Sequence, residues 1–297
     1  VNGYYDLLAA EANVAVIEDD LRLTEDYARQ LGGAVSAGTA FRADLLRVQT
    51  QVSRTRLSIR QGQEARDLAA AALASTLQLP AETPLRPAKS DLVPVTLVKG
   101  RGVATLISQA HRNRDEMQAQ DAVITAAELE RKRAYVAPMI PSVRAGYNGG
   151  GLGGSRGGRW GDFDGYQDFY VGFGWTIGPG GLFDRQRKKL ADIRADETRV
   201  QADGIRADIG REVVEAAARA QSARDQIAIN DEAVSAAEEM SKLARERQAS
   251  QVGVVLEYLL AREEVTRARQ SRVKAVTDFN KAQHQLKRAV GEGTGRK

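Results

Sequence analysis

Apolar residues recur near the start of the chain in alternating steps of three and four: Val14, Ile17, Leu21, Thr24, Ala28, Leu31, Val35. Such steps make a heptad seam, the pattern of a helix laid along a partner helix. Gly32-Gly33 and Gly38-Thr39 interrupt it. A second helical stripe follows: Leu45, Val48, Val52, Ile59, Gly62, Ala69, Leu73. Two helices joined by a short Gly-containing break predict an antiparallel hairpin over residues 1–79.

Residues 80–105 hold four of the seven prolines and predict an irregular connector. A helix is predicted over 106–137, closed by Pro138 and Pro141. Residues 138–183 change period: Phe169, Val171, Phe173, Trp175 and Ile177 fall on one face, and Tyr170, Gly172, Gly174 and Thr176 on the other. A period of two means a strand. Val143, Ala145 and Tyr147 predict its partner, with a Gly-rich loop from Gly149 to Gly165 between them.

Helical spacing returns over 184–291, with Ile205, Ile209, Val213, Ala217, Ala220, Ile227 and Val234 as its stripe. A break near Gln248–Gly253 precedes a closing helix with Leu256, Leu259, Leu260, Ala268, Val276, Phe279, Leu286 and Val290; residues 292–297 form a tail. A single helix from Asp184 to Arg247 would reach about 95 Å. The segment from Gly38 to Arg47 resembles that from Gly253 to Arg262, each with Gly, then an acidic residue, then a Leu pair, once one gap is allowed. A duplicated hairpin gives this pattern, as does chance similarity between Ala- and Leu-rich helices.

Composition narrows the function classes. Aromatics make up 5% of the 297 residues, too few for a thick globular core, and nine of the sixteen lie in 138–183. No cysteine is present, which removes disulfides and thiolate metal sites. The net charge of +4 is spread among interleaved acidic and basic residues, a solvated helix surface rather than a nucleic-acid patch. His111 and His284 lack a metal-ligand spacing and read as surface residues, so no metal or cofactor is expected. Gly149 to Gly154 lacks the Lys-Ser/Thr of a phosphate loop. No set of side chains forms an acid–base or nucleophilic constellation, so no enzyme is expected. No apolar run reaches the length of a membrane helix, and Val1 to Tyr5 lacks the features of a signal peptide.

The alternating segment is the feature that needs a partner. A lone two-stranded hairpin is marginal in water, and exposed Phe169, Phe173 and Trp175 would make it aggregate. It is either packed on helices or part of an outer-membrane barrel, apolar outward and small inward. In a membrane no strand edge is left open, so two strands from one chain would need further copies.

Several landmarks resemble, in order, those of the TolC-like outer-membrane factors. Asn113-Arg114-Asp115-Glu116-Met117 resembles the family's Asn-Arg-Pro-Glu-Leu helix start, with Asp115 in place of Pro. Pro141-Ser142-Val143 resembles its Leu-Pro-Ser approach to a membrane strand. Trp175, followed by Leu182-Phe183-Asp184, resembles its Trp-Pro-Leu-Phe-Asp exit, lengthened by Gly178-Pro179-Gly180-Gly181. Leu256-Glu257-Tyr258-Leu259-Leu260 resembles the stretch after its last hairpin tip.

The resemblance implies a mainly α fold. Long antiparallel helical hairpins would form a trimeric α-barrel tunnel, with the short β-hairpin contributing to a β-barrel. It implies a homotrimer in the outer membrane with a long periplasmic portion, acting as a passive conduit for efflux or secretion. A periplasmic adaptor and an inner-membrane pump would be its partners, and outer-membrane lipid would face Phe169, Val171, Phe173, Trp175 and Ile177. The hairpin tips Gly38, Thr39, Val252, Gly253 and Val254 match the adaptor-contact positions. Glu257 matches an acidic ring that narrows the tunnel, and Asp44 the corresponding site of the first repeat, although the next acidic position is Leu260 here. Three such carboxylates around a narrow water path would select cations; a solvated helix carboxylate is the plain alternative. Members carry a further helix and strand pair ahead of the first hairpin, so about a hundred preceding residues are expected. The competing reading is a soluble coiled-coil scaffold that uses the hairpin for docking.

Overall fold

The computed structural model describes all residues except 89–90, 99, 101, 154–162, 180–181, 251–252 and 294–297. In chain order its elements are α1 (Asn2–Ser36), α2 (Arg42–Thr76), α3 (Val103–Asn113), α4 (Asp115–Val136), a 3-10 turn (Ala137–Met139), β1 (Ser142–Gly153), β2 (Phe163–Gly174), α5 (Arg185–Ala249) and α6 (Val255–Ala289). They divide into two compact units, one of Val1–Asn113 with Ile209–Lys297 and one of Arg114–Asp208.

In the first unit α1 runs antiparallel to both α2 and α6. Against α2 it closes tightly: a Cβ on Gly62 would lie 3.1 Å from Val14 Cγ2, so glycine is what lets the backbones approach. Val14, Ile17, Thr24 and Leu31 of the predicted seam are buried. A second seam faces α6. There Asp20 accepts a hydrogen bond from Arg262 at 2.8 Å, both side chains nearly buried at 9% and 12% exposure. Tyr27 meets the Tyr258 ring edge-on at 4.7 Å, and Asp6 pairs with Lys281. Helix α6 is in turn tied to α5 by Arg269–Glu238 at 2.7 Å and Arg272–Asp231 at 2.5 Å.

Helix α1 continues through Gly32-Gly33 to Ser36 rather than breaking there. Two glycines weaken a helix by about 1 kcal/mol each, and the burial of Leu31 on α2 and α6 outweighs that. The chain turns instead at Gly38, whose φ of 74° a side chain would strain.

The connector is held by side chains rather than by a sheet. Asn280 accepts from the Val95 N–H at 2.7 Å and donates to the Val93 carbonyl at 2.9 Å. Gln283 accepts from the Leu97 and Val98 N–H groups at 3.0 and 3.2 Å. Both amides are buried, which they can be only because they are paired.

The helix predicted over 106–137 is divided at Arg114, whose extended ψ of 130° starts α4 afresh. Asp115 and Glu116 occupy the first turn of the new helix, where its positive end favours them.

The second unit contains α4, the strand pair and the first part of α5. The helices lie antiparallel, tied by Arg131–Asp192 at 2.7 Å and Arg199–Glu128 at 3.0 Å. Asp184 caps α5 by accepting from the Arg187 N–H at 3.0 Å. Strands β1 and β2 pair antiparallel from Ser142↔Gly174 to Gly153↔Phe163. Both run further into the predicted loop than alternation indicated, because backbone pairing continues where the side chains cease to alternate.

Candidate functional site

The register places Val143 opposite Phe173, Ala145 opposite Val171 and Tyr147 opposite Phe169, so these six side chains share one strand face. Phe169, Val171 and Phe173 are 79%, 67% and 68% exposed, and no described residue covers them. The Tyr147 and Phe169 rings meet at 4.8 Å. The opposite face carries Ser142, Arg144, Gly146, Tyr170, Gly172 and Gly174. A Cβ on Gly146 would come within 2.4 Å of the Tyr170 ring, so that ring lies over the glycine, while Gly172 faces open space. Trp175 and Ile177 lie beyond the end of β2, and Ile177 makes an isolated bridge to Leu182. The alternation predicted over 169–177 thus outlasts the strand, and the Trp175 indole turns back to donate to the Met139 carbonyl at 3.3 Å.

The two hairpin ends in the first unit differ in construction. At Gly38-Thr39 the Thr39 hydroxyl and N–H both donate to the Ala34 carbonyl, at 3.0 and 2.9 Å, and close the end of α1. At the second end the Gly253 N–H donates to the Arg247 carbonyl at 2.9 Å, and a Cβ there would lie 3.1 Å from the Gln248 N, tighter than ordinary contact. Val254 is exposed, and Val252 lies outside the described residues. Exposed Phe41 beside the first tip was missed, because an aromatic residue just ahead of a helix breaks no periodicity.

The candidate carboxylates Asp44 and Glu257 stand in the first turns of α2 and α6. Each has an arginine that the periodicity did not single out: Asp44 pairs with Arg47 at 3.0 Å, and Glu257 with Arg247 at 2.9 Å. The first pair was legible as an i, i+3 spacing; the second joins two helices and depends on their register. Between the two ends lies one apolar cluster of Tyr27, Leu31, Val48, Ala244, Val255, Tyr258 and Ala261. Burial pushes the Tyr27 phenol up to about 12, with Tyr258 and the Asp44 carboxylate adding to the shift and Arg245 opposing it.

His284 is not a surface residue: it is half-buried, with Nε2 3.3 Å from the Tyr5 hydroxyl. Burial, then nearby Lys287, lowers its pKa. Among the described residues no group of His, Cys, Asp and Glu could hold a metal, and no helix is long and apolar enough to cross a membrane.

A family model described as outer membrane efflux protein matches residues 106–292. The chain belongs to that family, which is one of channels rather than enzymes, and its place is the cell outer membrane. Among solved structures it is similar to the outer membrane protein VceC of Vibrio cholerae, with a TM-score of 0.69 and 17% identity over 98% of this chain and 68% of that one. It is similar to CusC with a TM-score of 0.71 and 20% identity, over 98% of this chain and 67% of that one. It is also similar to the open state of the Neisseria gonorrhoeae MtrE outer membrane channel, with a TM-score of 0.72 and 18% identity, over 98% and 64%. At such identities the likeness is one of fold, and the chain spans about two thirds of the length of these structures. No match is found among curated protein sequences.

Proposed function

We propose that the chain is one subunit of a homotrimeric, passive export conduit of the outer membrane. It would dock through its hairpin tips to a periplasmic adaptor and, through that, to an inner-membrane pump. The observation that carries the reading is the strand pair: an in-register apolar face exposed on one side, a mostly small face on the other, and two unpaired edges. Phe169, Val171 and Phe173 then face lipid, with Trp175 and Ile177 at the boundary. The edges are satisfied by strands from other copies, since hydrocarbon offers the backbone no hydrogen bonds. Gly38, Thr39, Val252, Gly253 and Val254 are the adaptor contacts. Asp44 and Glu257 line the narrow end, their arginine partners tempering the charge they present to a passing ion.

Native mass spectrometry of the protein extracted from its membranes tests the assembly. A trimer that requires detergent is expected. A monomer or dimer recovered without detergent overturns the conduit and supports the coiled-coil scaffold. Single-channel recording tests the constriction: Glu257→Ala should alter conductance or cation preference, and an unchanged record removes Glu257 from the path.

A further inference from the structure

Where the helices of the second unit meet the strand pair, cations accumulate. Residues 130–133 and 184–194 hold eight Lys or Arg against three carboxylates. That excess of five exceeds the +4 of the whole chain, so the remainder is slightly acidic. Arg131 among them pairs across the two helices with Asp192 at 2.7 Å.

Part of this cluster is shaped into a cleft of about 360 Å³ between the end of α4 and the start of α5. Arg133 of α4 and Arg187 and Arg194 of α5 line it, and Glu130 is the carboxylate among its lining residues. Its walls between them are apolar, chiefly Ala134, Leu190 and Ala191. Arg187 is anchored by a donated bond from Nη2 to the Ala134 carbonyl at 3.3 Å. Arg133 and Arg194 are exposed and have no carboxylate within ion-pairing distance among the described residues.

The cleft runs along about 15 Å of the chain from Ala127 to Ala137, and its strand-side end lies at a definite level. Arg133 is four residues before the 3-10 turn that leads into β1, roughly 6 Å along the helix. The headgroup layer extends beyond the hydrocarbon core by roughly 5–8 Å on each side. The Trp175 indole, bonded to Met139 at the strand root, marks the same boundary, where amphipathic aromatic rings concentrate.

We infer that this cleft binds the headgroup of an anionic phospholipid of the periplasmic leaflet. The guanidinium groups of Arg133 and Arg194 grip the phosphate diester, and an acyl chain runs over Leu190. Guanidinium matches phosphate oxygens two at a time, and the apolar walls give a lipid a second contact that free phosphate lacks. The inference rests on the strand pair lying in the membrane.

The test uses the full-length protein in detergent, with bound lipid counted by native mass spectrometry. The probes are phosphatidylglycerol, phosphatidylcholine and inorganic phosphate. Wild type should retain phosphatidylglycerol in preference to phosphatidylcholine. The variant Arg133→Gln/Arg194→Gln should weaken that retention by about tenfold or more, two charge-assisted contacts being lost. Arg131→Gln, outside the cleft, should keep it. Both changed side chains are exposed, so helicity by circular dichroism should match wild type. Equal retention of the two lipids, or retention untouched in the double variant, overturns the site. So does displacement of the lipid by inorganic phosphate, which marks a free-anion site. Conductance of the same samples separates this from the conduit reading. A conducting protein without lipid preference sinks the lipid site alone, and one that neither needs detergent nor conducts sinks both.

Discussion

The side-chain amide of Asn280 on α6 serves two backbone groups of the connector, accepting from the Val95 N–H at 2.7 Å and donating to the Val93 carbonyl at 2.9 Å. It acts as a one-residue strand edge, and at 1% exposure no water replaces it. Asn280→Ala should leave a buried donor and acceptor unmet and lower stability by about 1–3 kcal/mol. Hydrogen exchange at the Val95 amide should quicken; protection equal to wild type refutes the clamp.

The Asp20–Arg262 pair joins α1 to α6 with both side chains nearly buried. Removing one partner strands a charge, so Arg262→Met should cost about 3–5 kcal/mol, while Asp20→Leu/Arg262→Met together should cost less. Denaturant unfolding of the single and double variants decides it. A double variant worse than the single would mean that the ion pair itself supplies the stability.

Tyr27 makes the alkaline limit predictable. Its folded pKa is raised from 10.0 to about 12, so the protonated phenol is favoured in the folded state. The contribution is complete below the unfolded value and is lost as pH rises through about 12. The hydroxyl is buried with no hydrogen-bond partner among the described residues. Tyr27→Phe should therefore be neutral or stabilising at pH 7 and should weaken the alkaline loss in thermal melts. A variant melting well below wild type at neutral pH counts against this account.

The strand faces give opposite outcomes to substitution at adjacent positions. Val171→Arg puts a cation on the exposed apolar face and should cost about 2–4 kcal/mol of membrane stability near mid-depth. Gly172→Ser faces open space on the other side and should insert as wild type does. Outer-membrane fractionation compares them, and equal insertion of both rejects the assignment of faces.

Much of this was readable in the pattern. The α1 seam, the two-residue period and the landmarks around Asn113 and Leu182 predicted the helices, the hairpin and the family. What escaped has physical causes. Apolar counting sees one face of α1 and passes over the face at Asp20 and Tyr27, where a charge and a phenol do the packing. The division at Arg114 was written in the helix-start landmark Asn113–Met117, but the helix over 106–137 was bounded by prolines alone and so was carried through it. Continuation of β1 to Gly153 follows from pairing with β2, which no local composition encodes. The arginine opposite Glu257 comes from another helix, at a register fixed only when Val255 and Tyr258 join the cluster around Tyr27.

That cluster draws Tyr27, Leu31 and Val48 from one hairpin and Ala244, Val255, Tyr258 and Ala261 from the other. Packed side chains therefore join the two ends. A push on one tip is expected to reach the other through that packing. On this account they would act as a single jaw rather than two fingers, and a partner that grips one hairpin would take hold of both.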